Sequence, residues 1–178
     1  SGATNQRSDD SLKSALFGSA DDAQNMAKLL MNYGKEYVCM GTYSFSKDSI
    51  SSVPKDLFLN SLKNFFDSQN TNGCLIYYSG HGFPDTSLMF ETSQGNYFVF
   101  YEDIISIWKS REYKNKNSHL LFILDCCYSG SWVKKLLESG DFNDVSIQAS
   151  SAEDQKSLDM GLNKGSLYTN AFVYNNIE

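Results

Sequence analysis

No stretch of this 178-residue chain approaches the ~18 consecutive apolar residues of a membrane-spanning helix, so no membrane partner is expected. The first residues, SGATNQRSDDSLKS, lack the basic-then-apolar layout of a signal peptide. Basic residues are in deficit. Fifteen Lys and Arg against 21 Asp and Glu leave a formal charge of -6 and a pI near 4.9, which argues against nucleic acid as a partner. The same acidity suits a cationic substrate. Histidine is scarce, with only His81 and His119, and there is no C-x-x-C or H-x-x-x-H spacing, so a zinc site is not expected. Cysteine is limited to Cys39, Cys74, Cys126 and Cys127. The first two lie in apolar strand-like runs, where cysteine acts as a small buried hydrophobe. Adjacent Cys126 and Cys127 would close only a strained ring. With no secretion signal, this usage predicts a reducing compartment, the cytoplasm.

What is present describes an ordinary globular chain, 41% hydrophobic and 20% charged, of a size that suits one domain over residues 1–178 behind a polar segment at 1–18. Ser19 to Gly34 carries a helix signal: a capping serine, Asp21 and Asp22 at the positive end, Ala23, Met26, Ala27 and Leu30 at helical spacing, and a glycine stop. Tyr37 to Met40 reads as a short strand. Pro54 to Phe66 reads as an amphipathic helix turning Phe58, Leu62, Phe65 and Phe66 inward. A buried strand at Cys74–Tyr78 follows, then a β-hairpin across Ser87–Phe100 and a short helix at Glu102–Lys109. After the solvated loop KSREYKNKN come a buried strand at Leu120–Leu124, a helix at Ser131–Glu138, a strand at Val145–Ala149 and a helix at Leu167–Ile177. Alternating strands and helices, with strands apolar on both faces, predict an α/β three-layer sandwich whose mostly parallel central sheet is flanked by helices.

Two of the apolar runs end in chemistry. LLFILDCCYSG (120–130) stops at an aspartate and two cysteines, and CLIYYSGHG (74–82) stops at a histidine. In parallel sheets reactive groups gather beyond the carboxyl ends of the strands, so a thiol and an imidazole are expected at one sheet edge. Those are the groups that nucleophilic catalysis by cysteine requires. Side chains alternate along an extended segment, so only one of the two cysteines points out of the core. His119, before its strand, is expected to be solvated.

YSGHG at 78–82 and DCCYSG at 125–130 resemble the histidine and cysteine motifs of caspase-like peptidases, most of all the metacaspase branch. The two residues are 46 apart, against about 50 in caspases, although the caspase Q-A-C-x-G form is not matched. The likeness extends through GSADDA at 18–23, ASSAEDQKS at 149–157 and GSLYTNAF at 165–172. It implies a caspase-like fold with Cys127 as nucleophile and His81 as acid and base, Cys126 taking a structural place. The backbone amides of Gly82 and Cys127 are the candidates for an oxyanion hole, worth about 3 kcal/mol in such sites. The family's first strand would precede Gly18, and further sheet elements would follow Phe172, so the resemblance also implies a chain cut short at both ends. Tyr128 stands where metacaspases usually carry histidine, and Ser19 where they often carry cysteine.

An aspartate-reading pocket needs arginines, and the chain has only Arg7 and Arg111, in polar segments. The metacaspase resemblance implies instead that Asp22, Ser79 and Asp125 hold a lysine or arginine of a protein or peptide substrate. For Asp22 a helix-dipole role is the competing explanation. No cofactor is expected. Calcium activation occurs in such enzymes, but Asp85, Glu91, Glu102 and Asp103 lack the spacing of a calcium loop. The leading expectation is a cysteine endopeptidase cleaving after Arg or Lys, made as a zymogen and cut near Lys109–Lys116 or at Lys134–Lys135. The alternatives are a catalytically idle scaffold, or pseudoprotease, that binds a partner, and acyl transfer to an acceptor other than water.

Overall fold

The computed structural model describes residues 18–33, 53–68, 73–91, 95–112, 118–140, 143–160 and 164–176. Along them run α1 (Ser19–Tyr33), α2 (Lys55–Ser68), β1 (Gly73–Gly80), β2 (Ser87–Phe90), β3 (Tyr97–Phe100), α3 (Tyr101–Ser110), β4 (His119–Cys126), α4 (Gly130–Ser139), β5 (Val145–Ala149) and α5 (Leu167–Asn175). The strand expected at Tyr37–Met40, the glycine stop at Gly34 and the polar segment before Gly18 lie outside the described residues.

The sheet is parallel, in the order β1-β4-β5. Its middle strand β4 is buried from Phe122 to Cys126. In β1, by contrast, only Cys74 is fully buried. The expectation of two equally buried strands therefore holds for β4 alone, because β1 has one strand neighbour among the described residues. Both strands also run further than their apolar runs suggest, pairing in register from Gly73 opposite His119 to Gly80 opposite Cys126.

Alternation along the strands separates two layers of helices. Cys74, Leu120, Phe122, Leu124, Cys126 and Val145 face one way into a core with α2, α3 and α4. There Trp132 of α4 stacks on Phe122 at 5.3 Å and meets Tyr101 edge-on at 5.6 Å, while Phe66 of α2 meets Trp108 of α3 at 5.1 Å. The other face carries Tyr77, Ser79 and Asp125, and it meets α1 and α5 through Ser79–Asp22 and Tyr77–Thr169 hydrogen bonds. The result is the α/β three-layer sandwich with a parallel central sheet that the alternating pattern predicts.

α1 turns Met26 and Leu29 inward, both under 5% exposed, with Leu30 only half-buried. Asp22 falls on that same stripe, one turn before Met26, which aims its carboxyl at the sheet rather than at water. The expected hairpin forms from β2 and β3, antiparallel with Ser87 opposite Phe100, and the rings of Phe90 and Tyr97 stack across it at 5.1 Å.

One polar residue departs from expectation. Arg111 is 6% exposed rather than solvated. Its guanidinium lies 3.6 Å from the Trp108 ring centroid, Nη1 donates to the Trp108 carbonyl, and Nη2 reaches Asp144 Oδ2 at 3.3 Å. A planar cation stacked on an aromatic face is readily desolvated, which explains the burial. His119 is the first residue of β4, and its Nε2 lies 2.8 Å from Ser146 Oγ.

Candidate active site

The last rung of the β1–β4 ladder pairs Gly80 with Cys126. His81 and Cys127 are the next residues on the two strands, so the ladder delivers them side by side at the carboxyl edge of the sheet. Cys126 points into the core and is 2% exposed, and burial, followed by the charges of Asp125 and Cys127, pushes its thiol well above the usual range. Cys127 is half-buried and lines a surface cleft. Gly82 packs against this turn. A Cβ there would run into the Cys127 carbonyl and sit 2.6 Å from Cys126 Sγ, so only glycine lets the two segments touch.

β4 breaks at Cys127 into a turn that leads into α4, with Tyr128 in the left-handed region at φ 58°. The segment after β5 braces it. Tyr128 N donates to the Gln155 carbonyl at 2.7 Å, Ser129 N to Ser151 Oγ at 3.1 Å, and Ser151 Oγ to the Cys126 carbonyl at 3.0 Å. Ser129 is wholly buried and its Oγ accepts from Ser151 N at 3.0 Å, completing the exchange. The turn is thus held by hydroxyls where no regular ladder can continue.

The cleft beside Cys127 spans about 280 Å³, open solvent at its mouth included, and is lined by Ser19, Asp22, Ser79, Gly80, Asp125 and both Cys126 and Cys127, with Ser157, Asp159 and Ser166 completing it. Asp22 Oδ1 accepts from Ser166 N at 2.8 Å and Oδ2 from Ser79 Oγ at 2.9 Å. Burial nevertheless raises its pKa to about 6. The two hydrogen bonds pull the other way, and the charges of Asp125 and Asp159 add to the rise. Asp125, 4% exposed, accepts from Ser157 Oγ at 3.1 Å, from Thr169 Oγ1 at 2.6 Å and from Ser166 Oγ. Because the Thr169 hydroxyl proton is spent on Asp125, Tyr77 Oη must be the donor in its 2.5 Å contact with Thr169 Oγ1. Ser166 also caps α5 by accepting from Thr169 N at 2.9 Å.

The structure therefore brings Asp22, Ser79, Asp125 and Cys127 together in one cleft, with His81 and Gly82 beside it rather than in its lining. Sequence reading missed Asp159, Ser157, Ser166 and Thr169. Ser166, a serine directly before the apolar residue that opens α5, is a readable cap signal, whereas Thr169 carries none. Asp159 carries no such signal. It reaches the cleft through a short antiparallel bridge with Ser166, made by Met160 N to the Gly165 carbonyl and Leu167 N to the Leu158 carbonyl. Among the described residues no arginine is in the lining: Arg111 sits with Asp144 where the strands begin, at the opposite end of the sheet, and Arg7 lies outside the described residues. Among the described residues no group of three or more His, Cys, Asp or Glu is placed to hold a metal ion, and no helix is long and apolar enough to cross a membrane.

A parallel α/β sandwich that presents a thiol and an imidazole on neighbouring strand ends, beside an acidic surface cleft, has the form of a cysteine peptidase. The chain belongs to the caspase family: the caspase domain matches residues 5–175. Comparison with curated proteins gives no match. A domain of this family binds protein or peptide substrates.

Proposed function

We propose that the protein is a cysteine endopeptidase that cleaves after arginine or lysine, with Cys127 as nucleophile and His81 as general acid and base. The observation that carries this reading is the convergence of Asp22, Asp125 and Asp159, from three different segments, on the cleft that also bears Cys127. Three carboxylates, with no arginine among the described residues of the lining, suit a cationic side chain and repel an anionic one. Ser79 adds an oxygen at the same wall.

The Cys127 thiolate attacks the scissile carbonyl to form a tetrahedral intermediate. His81 then gives its proton to the leaving amine, and the acyl-enzyme forms. His81 next takes a proton from water as it attacks the thioester, and returns it to the departing thiolate. The amides of Gly82 and Cys127 hold the oxyanion. Gly82 suits this because its bridge with Leu88 is closed by its neighbours, Met89 N to the His81 carbonyl and Phe83 N to the Ser87 carbonyl. Gly82 is the non-hydrogen-bonded partner of that pair, so its own N–H is left to point outward. The metacaspase branch fits these residues best, and a zymogen of the reducing cytosol fits a thiol nucleophile. Lys134 and Lys135 lie inside α4, paired with Glu153 and Glu102 at 2.9 Å each, so processing in the folded protein favours the loop after Lys109.

The test is turnover of two fluorogenic peptides that differ only in arginine or aspartate before the cleaved bond. Arginine cleavage that disappears in Cys127→Ala supports the reading, whereas a preference for aspartate contradicts the pocket and leaves the nucleophile standing.

A further inference from the structure

We propose that Tyr78 is a positioning residue for His81, its hydroxyl fixing the carbonyl of His81 at the point where the chain leaves β1. The inference rests on the acid–base role given to His81 above. Tyr78 belongs to the core-facing side of β1, where its ring packs against Phe90 at 5.5 Å. Its Oη stays buried. It reaches forward to the His81 carbonyl at 3.0 Å and to the Met89 carbonyl at 2.8 Å, one hydroxyl proton serving two acceptors. Met89 N donates to the same His81 carbonyl at 3.0 Å. The His81 peptide is therefore held from two sides, by the hairpin backbone and by one phenol. Its plane sets the direction of the His81 Cα–Cβ bond, and so where the imidazole stands relative to Cys127.

Gly80 supports the same assignment. A Cβ at position 80 would collide with the Tyr78 hydroxyl and come within 2.7 Å of its Cζ. Glycine there leaves the space through which the phenol curls toward residue 81. Tyr78 and Gly80 of the YSGHG motif thus act as one device behind the histidine, a role that the chemistry of His81 and Cys127 alone leaves unexplained. Burial raises the phenol's pKa well above its ordinary value, so it remains a donor throughout the working range of a peptidase.

Tyr78→Phe deletes one oxygen and keeps the ring. With an arginyl peptide, kcat is expected to fall about tenfold while KM changes by less than roughly twofold, since the defect lies in orientation and not in binding. The pH midpoint for alkylation of Cys127 by iodoacetamide is expected to move upward, because a displaced imidazole stabilises the thiolate less. Phe90→Leu serves as the control. It loosens packing on the Tyr78 ring, lowers Tm at least as much, and is expected to leave kcat and the alkylation midpoint in place. Wild-type kcat and midpoint in Tyr78→Phe, or a matching loss in Phe90→Leu, overturns the proposal. His81→Ala separates the two levels. If it is inactive while Tyr78→Phe behaves as wild type, only the positioning role falls, and if it retains full kcat the acid–base reading falls and the proposal with it.

Discussion

On the proposed reading, Asp22 serves recognition at the expense of stability. Its ordinary pKa of 3.8 is raised to about 6 in the folded protein, chiefly by burial. The folded state therefore holds this proton more tightly than the unfolded state. Stability is fully present below about pH 4, falls as pH rises through 6, and stays reduced above. Asp22→Asn removes the charge while keeping a partner for Ser166 N and Ser79 Oγ. The variant is expected to be more stable than wild type at pH 7.5 by roughly 1–3 kcal/mol and to lose that advantage at pH 4, as read by urea denaturation at both values. At pH 7.5 its kcat/KM for an arginyl peptide falls. Asp22 was legible because GSADDA carries the family resemblance. Its rival role as a dipole-favourable residue fits Asp21 better, since only Asp22 is buried. Asp159 was not legible. It sits in an irregular segment, and only the bridge to Ser166, a contact made through folding, brings it to the cleft.

At the level of elements, the proposed nucleophile, Cys127, depends on a strand end and a brace. The apolar runs ended for a sequence reader at Tyr78 and Leu124, because Ser79 and Asp125 are polar. The ladder continues through both, since their side chains face the cleft and their backbones still pair. The polar pair that shortened the expected strands is thus part of the site itself. The brace was invisible for a different reason: serines at 129, 150 and 151 carry no period, and their partners are set only when β5 lies beside β4. Ser151→Ala strips a partner from buried Ser129 N and from the Cys126 carbonyl. It is expected to cost about 1–3 kcal/mol and to lower kcat, while Ser150→Ala, whose Oγ lies 3.4 Å from the same carbonyl, costs less. Equal losses in thermal melts of the two variants would contradict the distinction.

The whole molecule divides its labour between the two ends of one sheet. At the amino ends of β4 and β5, Arg111, Trp108 and Asp144 lock α3 to the strands: Trp108 Nε1 donates to Asp144 Oδ2 at 3.0 Å, and Leu120 N donates to the Asp144 carbonyl at 2.8 Å. At the carboxyl ends stand the thiol, the imidazole and the aspartates. The layered architecture was readable from period and order alone, since apolar strands between amphipathic helices have few other ways to bury both faces. The burial of Arg111 was not, because a charged residue inside a polar run looks solvated until a tryptophan is found beneath it. Its placement matters for function, as it commits one of the chain's two arginines to the core at the end away from the cleft.

The central claim joins a nucleophile to an acidic cleft, and one labelling experiment tests both at once. The folded protein is treated with an arginyl chloromethyl ketone or with its aspartyl counterpart, then digested, and the adduct is located by peptide mass spectrometry. The account predicts a single adduct on Cys127 from the arginyl reagent and far slower labelling by the aspartyl one. An adduct on Cys126 or Cys74, or equal labelling by both reagents, would contradict it.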